Sequence, residues 1–380
     1  MADALPALDA DEIRRYSRHL VLPEVGMDGQ RRLKAARVLL VGAGGLGSPA
    51  ALYLAAAGIG HITLVDADAV DVTNLQRQVL HGTKDVGRPK VLSARDRLLD
   101  LNPRLSLALH QAWLSASNAL ALVRDHDLVV DGTDNFATRY LVNDACVLAG
   151  RPNVYASVFR FDGQASVFAT AGGPCYRCLY PSPPPAGEVP SCAEGGVLGV
   201  LPGLLGTLQA TEAIKLVTGL GDPLVGRLLL VDALSMEFRT VNVRRDPRCP
   251  ACGTREIQEV RDEPGACAAP AAGAAIPEIT PSELALRMGR GDRLALVDVR
   301  EQGEWDVARI PGARLAPLSR LAEETGDLDR AAEVVVYCRS GVRSQRAGQQ
   351  LRAAGFTRVL SLAGGILRYG EEVDPSLRAS

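Results

Sequence analysis

A chain of 380 residues, 47% of them hydrophobic, has enough apolar material for two domains with separate cores. With 42 Lys and Arg against 44 Asp and Glu, the net charge is −2, which argues against a basic nucleic-acid-binding surface. Eight cysteines in an ordinary composition point to metal binding or catalysis in a reducing cytosol, and the acidic N-terminus MADALPALDADEIRRYSRHL lacks the apolar run of a secretory signal.

Residues 11–36 read as helical, with Arg14, Arg15, Arg18 and His19 close together and a break at Pro23. Taken alone, those arginines describe a solvated helix face. The stretch RVLLVGAGGLGSPAALYLAAAGIGHITLVDAD, from Arg37 to Asp68, then organises the chain. Val38 to Val41 is one buried strand, Gly42-Ala43-Gly44-Gly45-Leu46-Gly47 is a sharp turn, Ser48 to Ala57 is a helix, and His61 to Val65 is a second strand ending at Asp66. Glycines in such a turn let backbone N–H groups approach a phosphate at the positive end of the helix dipole. Asp66, with Asp68 close behind, stands where a carboxylate can accept hydrogen bonds from a ribose. The signal by itself says nucleotide, and an NAD- or FAD-dependent oxidoreductase is its commonest meaning. The interval from Val38 to Val65 has no charged residue, but its glycines and proline exclude a membrane span.

Asp68 to Gln78 is polar and loop-like, and Gly87-Arg88-Pro89-Lys90 introduces a helix running through Leu98 and Leu99. Leu105 to Leu109 resembles a strand, Leu114 to Val123 a helix, and Asp127 to Asp131 a buried strand ending in Gly132-Thr133-Asp134-Asn135 before a helix from Phe136 to Ala149. Alternating strands and helices make a parallel, doubly wound sheet, whose ligands bind outside the carboxyl ends of its strands. Asp134, Asp66 and the glycine turn all lie at such ends. Val154 to Val158 and Gln164 to Thr170 are then strands around a Phe161-Asp162-Gly163 turn, so the sheet becomes mixed. Pro181 to Pro190 is loop, and a buried helix starts after Pro202 and stops near Gly219. From 256 to 277 the composition is that of a flexible linker. Beyond it Leu294–Val299, Glu333–Tyr337 and Arg358–Leu362 are strands of a smaller α/β domain, 278–380.

Cys175-Tyr176-Arg177-Cys178 and Cys249-Pro250-Ala251-Cys252 are two C-x-x-C knuckles. Four thiolates in two short pairs match a closed tetrahedral zinc site, structural because no coordination position stays open. Cys146, within a helix, reads as core, and Cys267 receives no role.

Together, the glycine turn, Asp66, Asn74-Leu75-Gln76-Arg77-Gln78, Lys90, Asp134-Asn135 and the two knuckles resemble the adenylating domain of the ubiquitin-activating superfamily, most closely the molybdopterin-synthase and thiamine-pathway adenylyltransferases. The resemblance covers roughly residues 10–255, so the domain expected is 1–255. It implies ATP rather than NAD, and a small ubiquitin-like sulfur carrier whose C-terminal glycine is adenylated with release of pyrophosphate. The residue types suit that chemistry. A carboxylate is already ionised at neutral pH, so it needs charge neutralisation and alignment, not a general base. Arg77 and Lys90 can neutralise phosphate charge, Asp134 can hold Mg²⁺, Asp66 the ribose, and Asn74 a phosphate oxygen or the metal shell. The resemblance also implies a homodimer in which Arg18 reaches the partner's ATP site, and a thiol-bearing crossover loop that Cys192 would supply.

The second domain carries Cys338-Arg339-Ser340-Gly341-Val342-Arg343-Ser344 between a strand and a helix. A cysteine there faces backbone N–H groups and a helix N-terminus, which favour thiolate. With Leu296-Val297-Asp298-Val299-Arg300 and Arg309-Ile310-Pro311-Gly312-Ala313, the region 278–375 resembles rhodanese domains, although Arg309 stands where histidine is usual. Arg343 is five positions after Cys338, where a cysteine phosphatase has its arginine at six, and the shorter loop suits one sulfur atom better than a phosphate. An intact loop also speaks against a rhodanese domain that merely docks a partner.

The whole reading is a cytoplasmic adenylyltransferase and sulfurtransferase, with a Cys338 persulfide converting the adenylated carrier to a thiocarboxylate. The persulfide donor would be a cysteine desulfurase or thiosulfate, and molybdenum-cofactor, thiamine, cysteine and tRNA-thiolation pathways all fit. No nucleic-acid or membrane partner is expected.

Overall fold

β1 (Arg37–Val41) is apolar on both faces. Val38 and Leu40 enter one core with Leu33, Leu54, Ile62 and Leu64, while Leu39 and Val41 enter another with Val129, Leu141 and Val142. Alternate side chains of a strand point to opposite faces, so such a strand must be covered on both and lies centrally in its sheet. The computed structural model describes residues 5–184, 196–262 and 276–377, and the chain divides into two compact units, Met1–Ala268 and Ala269–Ser380.

In the first unit β1 is followed by β2 (His61–Val65), β3 (Ser106–His110), β4 (Leu128–Asp131), β5 (Asn153–Phe159), β6 (Asp162–Phe168), β7 (Arg227–Asp232) and β8 (Glu237–Asn242). Their order is β3-β2-β1-β4-β5-β6-β7-β8. The five from β3 to β5 run parallel, and β6 to β8 continue antiparallel. The α/β mixed sheet expected from the sequence is therefore present. The strand order reverses between β1 and β4, and a crevice outside the strand ends opens at such a switch point. Two features hold it open in a defined shape. Gly42 has φ of 93°, and a Cβ on Gly47 would collide with Gly42 O, so the turn tolerates no side chain at its tightest point. The helix Gly47–Ala57 is packed by the long helix Val200–Thr218, whose Gly206 comes against Leu46 and the Pro49 ring. Leu54 is completely buried in this layer, and its replacement by Ala would cost about 2–5 kcal/mol.

Several elements differ from expectation. The helix predicted over 114–123 starts only at Ala119 and runs to Arg124, because Asn118 accepts the Ser115 N–H at 2.9 Å and donates to Trp113 O at 2.9 Å, tying the preceding residues into a turn. The long helix begins at Val200, before Pro202, since a proline in the first turn has no intrahelical acceptor to lose. The first hairpin turns at Arg160 and Phe161, with Arg160 at φ 53°, and Gly163 lies inside β6. A Cβ there would lie 2.6 Å from Leu205 Cδ2, so that glycine serves helix packing rather than the turn. The β7–β8 hairpin, for which no element is predicted, completes the sheet. Helical residues 11–36 are divided into Ala10–Arg15, Ser17–Leu20 and Gly26–Ala35.

In the second unit β9 (Glu278–Ile279), β10 (Leu294–Asp298), β11 (Arg314–Leu315), β12 (Glu333–Tyr337) and β13 (Arg358–Leu362) form a parallel sheet ordered β11-β10-β12-β13-β9. β12 is central and buried along its whole length. The residues that compositionally resemble linker are anchored at both described ends. Asp262 accepts the Ala116 N–H at 2.9 Å, and Ile276 is buried in the core of the second unit. Among the described residues no helix is long and apolar enough to cross a membrane.

Candidate nucleotide cleft, metal centre and sulfur loop

The cleft at the switch point spans about 880 Å³ when the solvent at its open mouth is included. Its walls include Gly42, Gly44, Gly45, Asp66, Asp68, Arg77, Lys90, Asp134 and Asn135, so the tertiary fold brings together nine of the sequence-predicted residues. Gly47 stands behind them as the first residue of its helix. Asp66 ends β2, and its two carboxylate oxygens accept the Ala43 and Asp68 N–H groups, each at 2.8 Å. Burial pushes its carboxyl up, against the opposing pull of Lys90 and of those two N–H groups. Lys90 opens the helix Lys90–Leu101, and its Nζ lies 2.7 Å from Asp68 Oδ2. Arg77 Nη1 rests on Thr73 O at 3.2 Å, and Asp134 is exposed at the end of the loop after β4.

Two expected residues fall elsewhere, and a third is not among the described residues. Asn74 does not line the cleft; it closes the short 3₁₀ turn Val72–Asn74, which turns its side chain toward Thr73 Oγ1 at 3.5 Å. Arg18 is exposed and outside the cleft of its own chain. Cys192 lies outside the described residues. Asn135 lines the cleft, but its side-chain oxygen caps the helix Phe136–Ala149 by accepting the Thr138 N–H at 2.9 Å.

Gln78, which the sequence motif contains but to which no role was given, lies on the same walls, as do Trp113 and Arg139, which sequence reasoning missed. Gln78 is buried with its Oε1 lacking a partner among the described residues, and Arg139 is buried with its Nε likewise unpaired. The Arg139 guanidinium lies between the Phe136 and Tyr155 rings, 5.4 and 5.8 Å from their centroids, and donates to Thr133 O at 3.3 Å. Its spacing from Asn135, one helical turn, was the available signal.

The four knuckle cysteines converge. All four Sγ atoms lie within 4.8 Å of one another, with Cys175 and Cys249 at 3.5 Å and Cys178 and Cys252 at 3.3 Å. Four sulfurs at about 2.3 Å from one tetrahedral zinc would be roughly 3.8 Å apart, so the donor set fits that ion. The hydrogen bond from Cys175 holds the Cys178 thiol down to about 5, burial pushes Cys252 up to about 11, and Cys175 is raised through its bond to Cys178. A divalent cation is what would let all four sulfurs carry charge together. The first knuckle is fastened to the helix Phe136–Ala149 by Asn143, which accepts the Tyr176 N–H at 2.7 Å, and by a buried bidentate Arg177–Asp144 pair at 2.8 and 2.7 Å. Cys146 is core, its thiol raised by burial.

In the second unit Cys338 follows β12 and is 1% exposed. Its Sγ accepts the Gly341 N–H at 3.2 Å and lies 3.7 Å from Ser344 Oγ. Gly341, at φ 99°, caps the helix Val342–Ala353. Both terminal nitrogens of Arg343 bond Glu304, at 2.7 and 2.6 Å. Asp298 and Arg300 form a buried bidentate pair, and Arg300 also donates to Ala308 O at 2.6 Å, so that motif braces the sheet rather than the loop. Arg309 lies over the Trp305 ring, 5.3 Å from its centroid.

Residues 16–251 match the ThiF family, and residues 280–372 match the Rhodanese-like domain. A probable adenylyltransferase/sulfurtransferase MoeZ of Mycobacterium tuberculosis is 50% identical over 384 residues, covering 99% of this chain and 97% of that protein. A sulfur carrier protein adenylyltransferase of Thermus thermophilus is 54% identical over 253 residues, covering 65% of this chain and 93% of that protein. Among solved structures, an E. coli MccB crystal structure with ATP has a TM-score of 0.54 at 26% identity, over 60% of this chain and 69% of that one.

Proposed function

The chain belongs to the ThiF family, with a rhodanese-like domain following, and on that premise we propose how its two sites divide one reaction sequence. It is an adenylyltransferase and sulfurtransferase. Its protein substrate is a ubiquitin-like sulfur carrier, whose C-terminal carboxylate attacks the α-phosphate of ATP and displaces pyrophosphate. The observation that carries this reading is a single cleft combining Lys90, Arg77, the open amides of the glycine turn and the exposed Asp134. Lys90 and Arg77 neutralise phosphate charge, the turn amides hold phosphate oxygens, Asp66 and Asp68 face the ribose, and Asp134 holds Mg²⁺. A bound zinc would clamp the two knuckles and support the fold.

Cys338, loaded as a persulfide by a desulfurase or by thiosulfate, attacks the acyl-adenylate carbonyl through its outer sulfur, and AMP leaves with the bonding electron pair. The product is an acyl disulfide between carrier and Cys338. A second thiol, for which we propose Cys192, attacks the Cys338 sulfur, forming an enzyme disulfide and releasing the carrier thiocarboxylate. Arg18, outside the cleft of its own chain, would act on a partner's cleft in a homodimer. We place the chain in the cytoplasm, on a cysteine usage that commits four thiols to a metal.

ATP–pyrophosphate exchange measured with each purified candidate carrier tests the reading. Carrier-dependent exchange is the expected result; tight NAD binding without an ATP effect would favour the oxidoreductase reading.

A further inference from the structure

Ala43, in the middle of the glycine turn, is held at both ends of its backbone. Its N–H donates to Asp66 Oδ2 at 2.8 Å. Its carbonyl oxygen lies 3.0 Å from His81 Nε2, and more weakly 3.4 Å from Ser48 Oγ. His81 is buried, does not line the cleft, and its Nδ1 lies 2.9 Å from Ser93 Oγ. A carbonyl can only accept, so Nε2 carries the proton of the neutral ring. Burial favours this neutral form of the ring.

The consequence lies in the next peptide bond. In a trans peptide the C=O and the following N–H point in opposite directions. With the Ala43 carbonyl drawn to His81, the Gly44 N–H is turned away from His81, and Gly44 lines the cleft. Among the described residues, neither the Gly44 N–H nor the Gly45 N–H has an acceptor. A turn rich in glycine is free to flip its peptides, and a flipped Ala43–Gly44 unit would present a carbonyl oxygen to a phosphate instead of a donor.

We propose that His81 is a positioning residue for nucleotide binding: from behind the glycine turn, braced by Ser93, it fixes the Ala43–Gly44 peptide so that the Gly44 N–H is aimed at a phosphate oxygen. It touches no nucleotide itself. This rests on the ATP reading of the cleft.

The test compares ATP, AMP and adenosine binding to full-length wild type, His81→Gln, His81→Asn and His81→Leu by calorimetry with Mg²⁺. A glutamine amide nitrogen reaches the position of Nε2, whereas an asparagine amide stops short of it. Expected are losses of roughly tenfold for ATP and AMP in His81→Asn and His81→Leu, with adenosine unchanged and with His81→Gln within about threefold of wild type. Thermal melts report folding; should His81→Leu not fold, the Asn and Gln pair decides. Equal ATP affinity in His81→Asn and His81→Gln would overturn the proposal, as would an equal loss for adenosine. Wild-type protein that binds neither ATP nor AMP would overturn the adenylation reading itself.

Discussion

Lys90 Nζ donates to Asp68 Oδ2 across 2.7 Å, the lysine side chain 6% exposed and the aspartate 45%. The ammonium is thus directed along the cleft wall by a carboxylate open to solvent, a partner that a more highly charged phosphate can replace. The same pair joins the start of the helix Lys90–Leu101 to the loop after β2.

Removing the ammonium should therefore cost catalysis more than folding. Lys90→Ala is expected to lower carrier-dependent pyrophosphate exchange by on the order of 10²-fold or more, the scale of a group that stabilises developing charge. Asp68→Asn, which loosens the lysine but leaves its charge, should lose roughly tenfold. Exchange rates of the two variants, with circular dichroism as a folding control, check the order.

One zinc per chain is expected on Cys175, Cys178, Cys249 and Cys252. Elemental analysis measures it directly. The quadruple serine variant should lose both the metal and thermal stability, because the two knuckles, 74 residues apart in sequence, would no longer be tied together. Metal-free wild type with an unchanged melting temperature would contradict this.

Adenylation and sulfur transfer should separate cleanly at Cys338. Every cleft residue named above belongs to the first unit and Cys338 to the second. Cys338→Ser is expected to keep pyrophosphate exchange near wild type while yielding no thiocarboxylated carrier, since a serine hydroxyl cannot carry a sulfane sulfur. Intact-mass spectrometry of the carrier reads the exchange of oxygen for sulfur. Undiminished thiocarboxylate without added sulfide would show that another residue bears the sulfur.

Acid should destabilise the first unit through a histidine pair. His126 Nδ1 donates to Leu122 O at 2.6 Å, and its Nε2 accepts from Thr63 Oγ1 at 2.7 Å; that oxygen also receives His61 Nε2 at 3.0 Å. Burial lowers both histidines below their ordinary 6.5, with Arg37 adding to it. Below 6.5 the unfolded chain therefore binds protons that the folded chain refuses, so stability is complete above that pH and falls as pH drops through the window beneath it. Urea unfolding at about pH 7.5 and about pH 5.5 should show the loss, and His126→Gln should reduce it.

Sequence by itself determined the parts whose physics is local. The apolar run of β1, the glycines that alone fit the turn behind it, the acids at the strand ends, the short C-x-x-C spacings and the loop after β12 each act within a few residues of themselves, and the structure has each at the strand, turn or loop its local sequence indicates. Tertiary structure decided what depends on distance along the chain. It set His81 against Ala43 and buried Arg139 between two rings. It gave Arg343 to Glu304, and it drew the two cysteine pairs to within one metal's reach. It also removed Asn74 from the cleft and used the Asn135 oxygen as a cap. Local sterics and hydrogen bonding select a strand, a turn or a cap, but which side chain meets which backbone group is settled only when the sheet register and helix packing bring distant segments together.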